Sequence, residues 1–219
     1  MYGRYISSLG SYNYEHQKWK VDVTVGGSQK GLMLPPGLSF NVISNKALES
    51  YKKSKLPRSY FDWGQMLKNN KNGFYPYTPA INLLYGLNEA INMLLEEGLE
   101  NVFTRHKRHA DATRLAVEAW GLEILAKNPI ERSDSITAIL VPEGSDADNL
   151  RKIIYDNYDM SLGTGLNKVK GKVFRIGHMG DFNDLMLAGT LAGVEMGLKQ
   201  SGIPFKPGGI MAALNFLSK

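Results

Sequence analysis

The 219 residues include no cysteine, so no disulfide, thiolate nucleophile or Cys-ligated metal site can form, and a reducing compartment suits the chain. Apolar runs are short, well under the roughly 20 residues that a membrane-spanning helix needs. The opening MYGRYISSLGSYNYEHQKW has no continuous apolar region of the signal-peptide kind. The last residues read Leu217-Ser218-Lys219 rather than Ser-Lys-Leu. The expected setting is therefore cytoplasmic, with no membrane partner. No GxSxG elbow marks a serine hydrolase. Histidine is scarce, with four in all. His106 and His109 stand i, i+3 apart, but no third ligand follows at zinc-site spacing, so no metal is expected. Both are expected on a solvated helix face. His178 is expected in a solvated loop or a substrate channel, and His16 without a partner.

Acidic residues are outnumbered, 21 against 26 basic, for a net charge of +5. That balance permits nucleic-acid binding. The basic residues are dispersed, however, apart from Lys52-Lys53-Ser54-Lys55 and Arg105-His106-Lys107-Arg108-His109. No aromatic reader motif interleaves with either cluster, so no nucleic-acid partner is expected. An excess of positive charge also suits the handling of phosphate and small carboxylates.

The length allows a sizeable core in one domain or two small ones. Residues 6–10 and the β-branched run 21–25 read as strand ends around a polar link, with a returning strand over 38–43 and a helix over 45–53. Residues 55–73, with Tyr60, Phe61 and Trp63, read as a long loop. Thr78 and Pro79 mark the N-cap and first turn of a helix running to Glu97. Its expected apolar face is Ile81, Leu84, Leu87, Ile91, Leu94 and Leu95. Gly98 interrupts, and a second helix with Leu99, Phe103, Ala110, Val117 and Trp120 inward ends at Gly121. This helical connector predicts a boundary between domains 1–97 and 98–219. Beyond it come strands at 122–125 and 135–141 and a helix capped by Ser145 with Asp146 and Asp148 in its first turn. An antiparallel pair around 161–163 and 172–178 and a helix over 183–200 complete a small α+β domain.

One stretch stands out for its chemistry: VTVGGSQKGLMLPPG, residues 23–37. Glycines break the strand, and Lys30 follows Gln29, with Leu32, Met33, Leu34 and a Pro-Pro-Gly turn behind it. Burial there would disfavour the ammonium and leave an amine able to condense with an aldehyde. By chemistry alone a solvated turn lysine is the open alternative. A phosphate-binding P-loop is excluded, because Gly31 stands where that motif needs Ser or Thr. Arg175, in KVFRIGHM, shares a strand face with Val173 and Gly177. Its planar fork would match a carboxylate, with a solvated edge-strand arginine as the alternative. Tyr75 and Thr78, in YPYTP, precede a helix N-terminus, which attracts phosphate but also serves as a plain capping turn.

GSQKGLMLPPG resembles the cofactor-lysine segment of the class V aminotransferases, fold-type I enzymes dependent on pyridoxal 5'-phosphate (PLP). The wording is that of the alanine/serine–glyoxylate branch. The likeness continues through SSLG, FDWG, YPYTPAINLLYGLNEA, EEGLENV, RLAVEAWGL and GLNKVKGKVFRIGHMG. It implies an α/β fold: the C-terminal part of a PLP-dependent transferase large domain, with a mixed sheet and helices, plus a small C-terminal α+β domain. It implies a transaminase that moves an amino group from serine, alanine or asparagine to glyoxylate, giving glycine and a 2-oxo acid, with residues 55–73 contributing to the choice of donor. Lys30 would hold PLP, Gln29 would touch its phosphate or ring hydroxyl region, and Ser8 would lie near the ring. Tyr75 and Thr78 would contact the cofactor phosphate of the neighbouring subunit, which implies a homodimer with shared active sites. Arg175 would grip the substrate α-carboxylate.

Family members carry roughly as much again ahead of the matching region. That part includes the phosphate-binding turn and the ring-stacking aromatic, and the position of the aspartate that pairs with the pyridine nitrogen is Arg4 here. Three expectations follow. Residues 1–5 are foreign or frame-shifted sequence, strand 21–25 and helix 79–97 expose apolar surface, and the polypeptide alone binds PLP weakly or not at all. A second reading is a non-catalytic fragment acting only through subunit contacts.

Overall fold

The computed structural model describes residues 2–4 and 6–219. The chain forms two compact units, one comprising the residues up to Leu9 together with Tyr14–Glu96, the other Gly10–Asn13 with Glu97–Lys219. In the first unit, β2 (Val23–Gly27) takes β1 (Tyr2–Arg4) alongside in parallel and β3 (Ser39–Ile43) antiparallel. The central strand begins two residues later than the β-branched run and continues through both glycines. Its ladder to β3 runs from Val23↔Ile43 to Gly27↔Ser39, so backbone pairing rather than side-chain branching sets its ends. Gly26 has no room for a side chain, since a Cβ there would lie 2.9 Å from Leu9 Cδ2. Residues 6–10 form turns, not a strand end. The expectation about residues 1–5 falls partly on Met1 and Tyr5, which lie outside the described residues; residues 2–4 pair with β2. His16 has a partner after all: its Nδ1 lies 2.8 Å from Thr24 Oγ1, which also bonds the Tyr14 hydroxyl.

The Ser44 hydroxyl caps α1 (Asn45–Lys53) by accepting the Ala47 N–H at 3.2 Å. Residues 55–73 are not one long loop. They contain α2 (Trp63–Asn70), capped by Asp62, whose carboxylate accepts the Gln65 N–H and the Tyr51 hydroxyl at 2.9 Å each and pairs with Arg58. The helix is short and leaves no residue fully buried, so its periodicity is weak. Next comes α3 (Ile81–Glu97), which starts later than Pro79. The Ile81 N–H bonds the Pro79 carbonyl and Thr78 stays outside the helix, so Thr78 is not its cap. The expected apolar face divides. Ala90 and Leu94 are buried, whereas Ile81, Ile91 and Leu95 are exposed, Leu95 by 63%. Val21, by contrast, is buried.

In the second unit α4 (Leu99–Ala119) leads to an antiparallel sheet ordered β4 (Glu123–Ile124), β5 (Ile136–Leu140), β7 (Val173–Gly177) and β6 (Gly163–Thr164). Two-residue alternation puts Ile139, Phe174 and Ile176 on a fully buried face and Ala138 and Arg175 on the opposite one. Helices α4, α5 (Ala147–Tyr158), α6 (Asp184–Ser201) and α7 (Gly209–Leu217) close the core with Trp120, Leu150, Ile154, Leu187, Leu191 and Leu198. Each such side chain contributes about 1.5–3 kcal/mol on burial. Leu99, expected inward, is 44% exposed. The cap of α5 is Asp146, one residue past Ser145, and its carboxylate accepts the Asp148 N–H at 2.8 Å. No sequence signal anticipated α7. It has no side-chain cap of its own. The Glu195 carboxylate on α6 supplies one from a distance, accepting the Gly208 and Ile210 N–H groups at 2.9 and 3.0 Å and the Trp120 indole N–H at 2.8 Å.

Candidate active site

Lys30 sits in a loop that Ser28 ties shut. Ser28 is fully buried. Its N–H donates to the Leu38 carbonyl at 3.2 Å, its hydroxyl donates to the Pro35 carbonyl at 2.8 Å and accepts the Leu38 N–H, and its carbonyl accepts the Leu34 N–H. Inside that ring the Met33 N–H reaches the Lys30 carbonyl at 2.8 Å, with Met33 in the left-handed region at φ +59°. The outcome is a fixed backbone at Lys30, whose side chain is half-buried between exposed Gln29 and buried Gly31 and Leu32. Its amine makes no ion pair or hydrogen bond among the described residues. The far side of the loop lies on α3. A Cβ at Gly86 would come within 2.6 Å of Leu34 Cδ2, and one at Gly37 within 2.5 Å of Leu83 Cδ1. The lysine loop is thereby packed against the helix that Tyr75 and Thr78 precede. Both of those side chains are exposed, and the intervening Tyr77 stacks on Tyr60 with centroids 4.9 Å apart. From the stretch 55–73, expected to contribute to donor choice, Leu56, Pro57, Arg58, Phe61 and Trp63 line with Tyr51 a cleft of about 620 Å³.

Arg175 belongs to the other unit. It points away from the core, between Ala138 on β5 and Gly163 on β6. Its Nε is buried without a partner. The remaining arginines whose side chains are described all have one: Arg58 on Asp62, Arg105 on Glu97, Arg108 on Asp184, Arg114 on Asp134, Arg151 on Asp148, and Arg132 on the Ala126 carbonyl. Leaving a half-buried guanidinium unpaired is costly, and a planar carboxylate is its natural complement.

The histidines overturn the expectation of solvated positions. His106, His109 and His178 are all fully buried. His178 Nδ1 meets the Asp134 carbonyl and Nε2 the Thr137 hydroxyl, each at 3.0 Å. Burial, reinforced by the nearby Arg114 charge, pushes its pKa down to about 3. His106 Nε2 accepts the Gly180 N–H at 3.1 Å, and His109 Nε2 lies 2.9 Å from Asp184 Oδ1. Burial lowers the pKa of both, against the opposing pull of Asp184 at His109. Next to His106, Arg105 holds Glu97 through two 2.7 Å bonds and donates to the Gly180 and Phe182 carbonyls. This face of α4 therefore grips the segment joining β7 to α6, just past Arg175. The signal was present in the sequence: Val102, His106, His109, Thr113 and Val117 continue one stripe at helical spacing. Ser28 and Gly163 carried no comparable signal. Among the described residues no group of three or more His, Cys, Asp or Glu could hold a metal ion, and no helix is long and apolar enough to cross a membrane.

In the first unit the donor set suits PLP at its aldehyde and phosphate ends: an amine at Lys30, an amide at Gln29 and hydroxyls at Tyr75 and Thr78. Comparison with known proteins points the same way. The serine–glyoxylate aminotransferase of Methylorubrum extorquens is 51% identical over 218 residues, 97% of this chain and 54% of that protein. The L-aspartate–glyoxylate aminotransferase of Paracoccus denitrificans is 47% identical over 95% of this chain and 52% of its own length. The crystal structure of pyridoxamine–pyruvate aminotransferase from Mesorhizobium loti superimposes with a TM-score of 0.91 at 31% identity, covering 98% of this chain and 56% of that one. The chain thus spans about half the length of the curated relatives it matches. The family model for aminotransferase class-V matches residues 6–173, which takes in the lysine loop, helices α1 to α5 and the start of the arginine strand; the chain belongs to that family.

Proposed function

We propose that this chain serves a PLP-dependent transamination in which an amino group passes from serine, or alanine, to glyoxylate, yielding glycine and a 2-oxo acid. The observation that carries the reading is Arg175: a half-buried guanidinium, Nε shielded, with no counter-ion among the described residues. Glyoxylate is the acceptor that the names of both serine- and aspartate-specific relatives share, and the donor is the part in which they differ.

PLP, when bound, supplies an electron sink for the electrons of the broken Cα–H bond. Lys30 would hold it through Nζ with Gln29 near its phosphate or ring hydroxyl, while Tyr75 and Thr78 would reach the cofactor phosphate held by the neighbouring subunit. Arg175 binds the α-carboxylate of donor and acceptor in turn and so fixes the amino-acid backbone, a positioning effect. The Lys30 amine would take the proton from the substrate Cα as general base and, once protonated, give it back as general acid. The hydrogen-bonded ring around Ser28 keeps the lysine backbone from drifting during this exchange. We place a homodimer with shared sites in the same proposal. Tyr75 and Thr78 are exposed on their own unit, and α3 beside them presents Ile81, Tyr85 and Leu95 outward. Exposed apolar side chains of that kind also favour subunit contact as a role the chain could keep without catalysis.

Borohydride reduction of the chain in excess PLP, followed by peptide mapping, tests the assignment. Reduction is irreversible, so even a weakly formed linkage accumulates. A single pyridoxyl label on Lys30 is expected. Label spread evenly over the lysines, or absent from Lys30, overturns it.

A further inference from the structure

We infer that Gly163, given the role proposed for Arg175, is a positioning residue: its bare Cα is the floor on which the guanidinium lies, and it sets how the arginine presents itself to a short carboxylate. Gly163 and Arg175 are direct cross-strand partners in the β6–β7 pair. Any side chain at 163 would therefore stand on the same face as the arginine. A Cβ built there lies 3.0 Å from Arg175 Cβ, 3.1 Å from Nε and 3.5 Å from Cζ. Ordinary cross-strand Cβ pairs keep about 4.5–5.5 Å, so the two strands come too close here for two side chains. Torsion is not the reason for the glycine, because Gly163 is not among the residues of positive φ. The space above it is simply taken, by an arginine folded sideways across the neighbouring strand.

Strand β6 cannot retreat to make room. Its residues on either side of Gly163 are gripped from α5 by one ion pair. Arg151 Nε donates to the Leu162 carbonyl at 2.8 Å and Nη1 to Asp148 Oδ1 at 3.0 Å, while the Thr164 hydroxyl donates to that same oxygen at 2.9 Å. A larger residue at 163 would thus move the guanidinium rather than the strand. In the native arrangement Nε faces the glycine and is shielded, and the two Nη nitrogens are not buried. The fork is left to engage a carboxylate end-on through Nη1 and Nη2 instead of side-on through Nε. That is the geometry for a small 2-oxo or 2-amino acid whose carboxylate arrives along the arginine's axis.

Arginine-selective ¹⁵N NMR of the full chain, titrated with sodium glyoxylate, tests this. The Arg175 Nε–H resonance should shift saturably in the native chain, and Arg175→Lys should abolish binding. Gly163→Ala should displace that resonance before any glyoxylate is added and weaken binding by about tenfold or more, with the backbone spectrum otherwise preserved. Should Gly163→Ala lose its fold, Thr164→Val keeps the glycine and removes one grip on it; binding about two- to fivefold weaker is expected. If Arg175→Lys abolishes binding while the Gly163 and Thr164 variants bind as the native chain does, the inference about Gly163 is overturned and the arginine reading stands. If Arg175→Lys binds unchanged, the arginine reading itself fails. A lower melting temperature with neither the Nε resonance nor the affinity moved also overturns the inference, because that is all a purely structural glycine would do.

Discussion

Mild acid should destabilise the second unit through His178 before its carboxylates begin to titrate. The ring is fully buried on the Thr137 hydroxyl and the Asp134 carbonyl, and its pKa is pushed from an ordinary 6.5 to about 3. A histidine with a lowered folded pKa contributes its full stability above 6.5, where both states are neutral. Below 6.5 the unfolded chain takes up a proton that the native chain refuses, and stability falls by about 1.4 kcal/mol per pH unit until the folded pKa is reached. The loss from this one ring is then about 2 kcal/mol at pH 5 and about 4 kcal/mol near pH 3. His106 and His109 are shifted in the same direction by burial and steepen the native curve further. The variant His178→Gln isolates one ring from the others, since glutamine offers a donor and an acceptor but binds no proton. Urea unfolding followed on the backbone amide of residue 178, which bonds the Ser135 carbonyl at 3.1 Å, reads this unit directly. At neutral pH the variant should be less stable by about 1–3 kcal/mol. That gap should narrow by about 2 kcal/mol by pH 5. A gap that stays constant between about pH 7.5 and 4.5 would mean that the ring titrates normally in the folded chain, and the burial argument would be wrong.

Two other substitutions probe the frame. Gly209→Ala places a Cβ 2.3 Å from Trp120 Nε1 in a fully packed core, so it should cost about 1–3 kcal/mol and blue- or red-shift Trp120 fluorescence; an unchanged melting temperature would refute the close approach. Ser28→Ala removes two of the four hydrogen bonds that shut the lysine loop, leaving the Pro35 carbonyl and the Leu38 amide unpaired. Amide exchange over residues 31–38 should accelerate by about tenfold or more while exchange in the second unit is unaffected; equal protection in variant and native chain would remove Ser28 from its proposed task.

What the sequence made legible followed from local rules. Gly98 between the long helices and Gly121 after Trp120 each mark an element boundary through left-handed backbone, and the helices expected over 45–53 and 183–200 fall at Asn45–Lys53 and Asp184–Ser201. Long-range pairing was not legible. The strand at 21–25 shifted because its ends depend on where β3 returns, and Asp146 displaced Ser145 as cap because the helix starts one residue later. The basic cluster on α4 misled for a related reason. Charge and spacing describe the helix alone, whereas the burial of His106 and His109 is decided by the Gly180–Asp184 segment that folds over them from more than seventy residues away. Of the candidate site, Lys30 and Arg175 were named from their wording. The floor beneath Arg175 needed the β6–β7 register, which no local pattern encodes.

The contiguous cluster of buried apolar side chains lies entirely in the second unit, from Ala112 to Leu217, while the first unit buries only scattered ones such as Val21, Leu32 and Leu94. The two halves of the chain are accordingly unequal in resilience. The sheet that carries Arg175 draws its shape from its own interior, so it can remain native while the half that carries Lys30 breathes, and loss of the proposed function under stress would begin with the amine and not with the guanidinium.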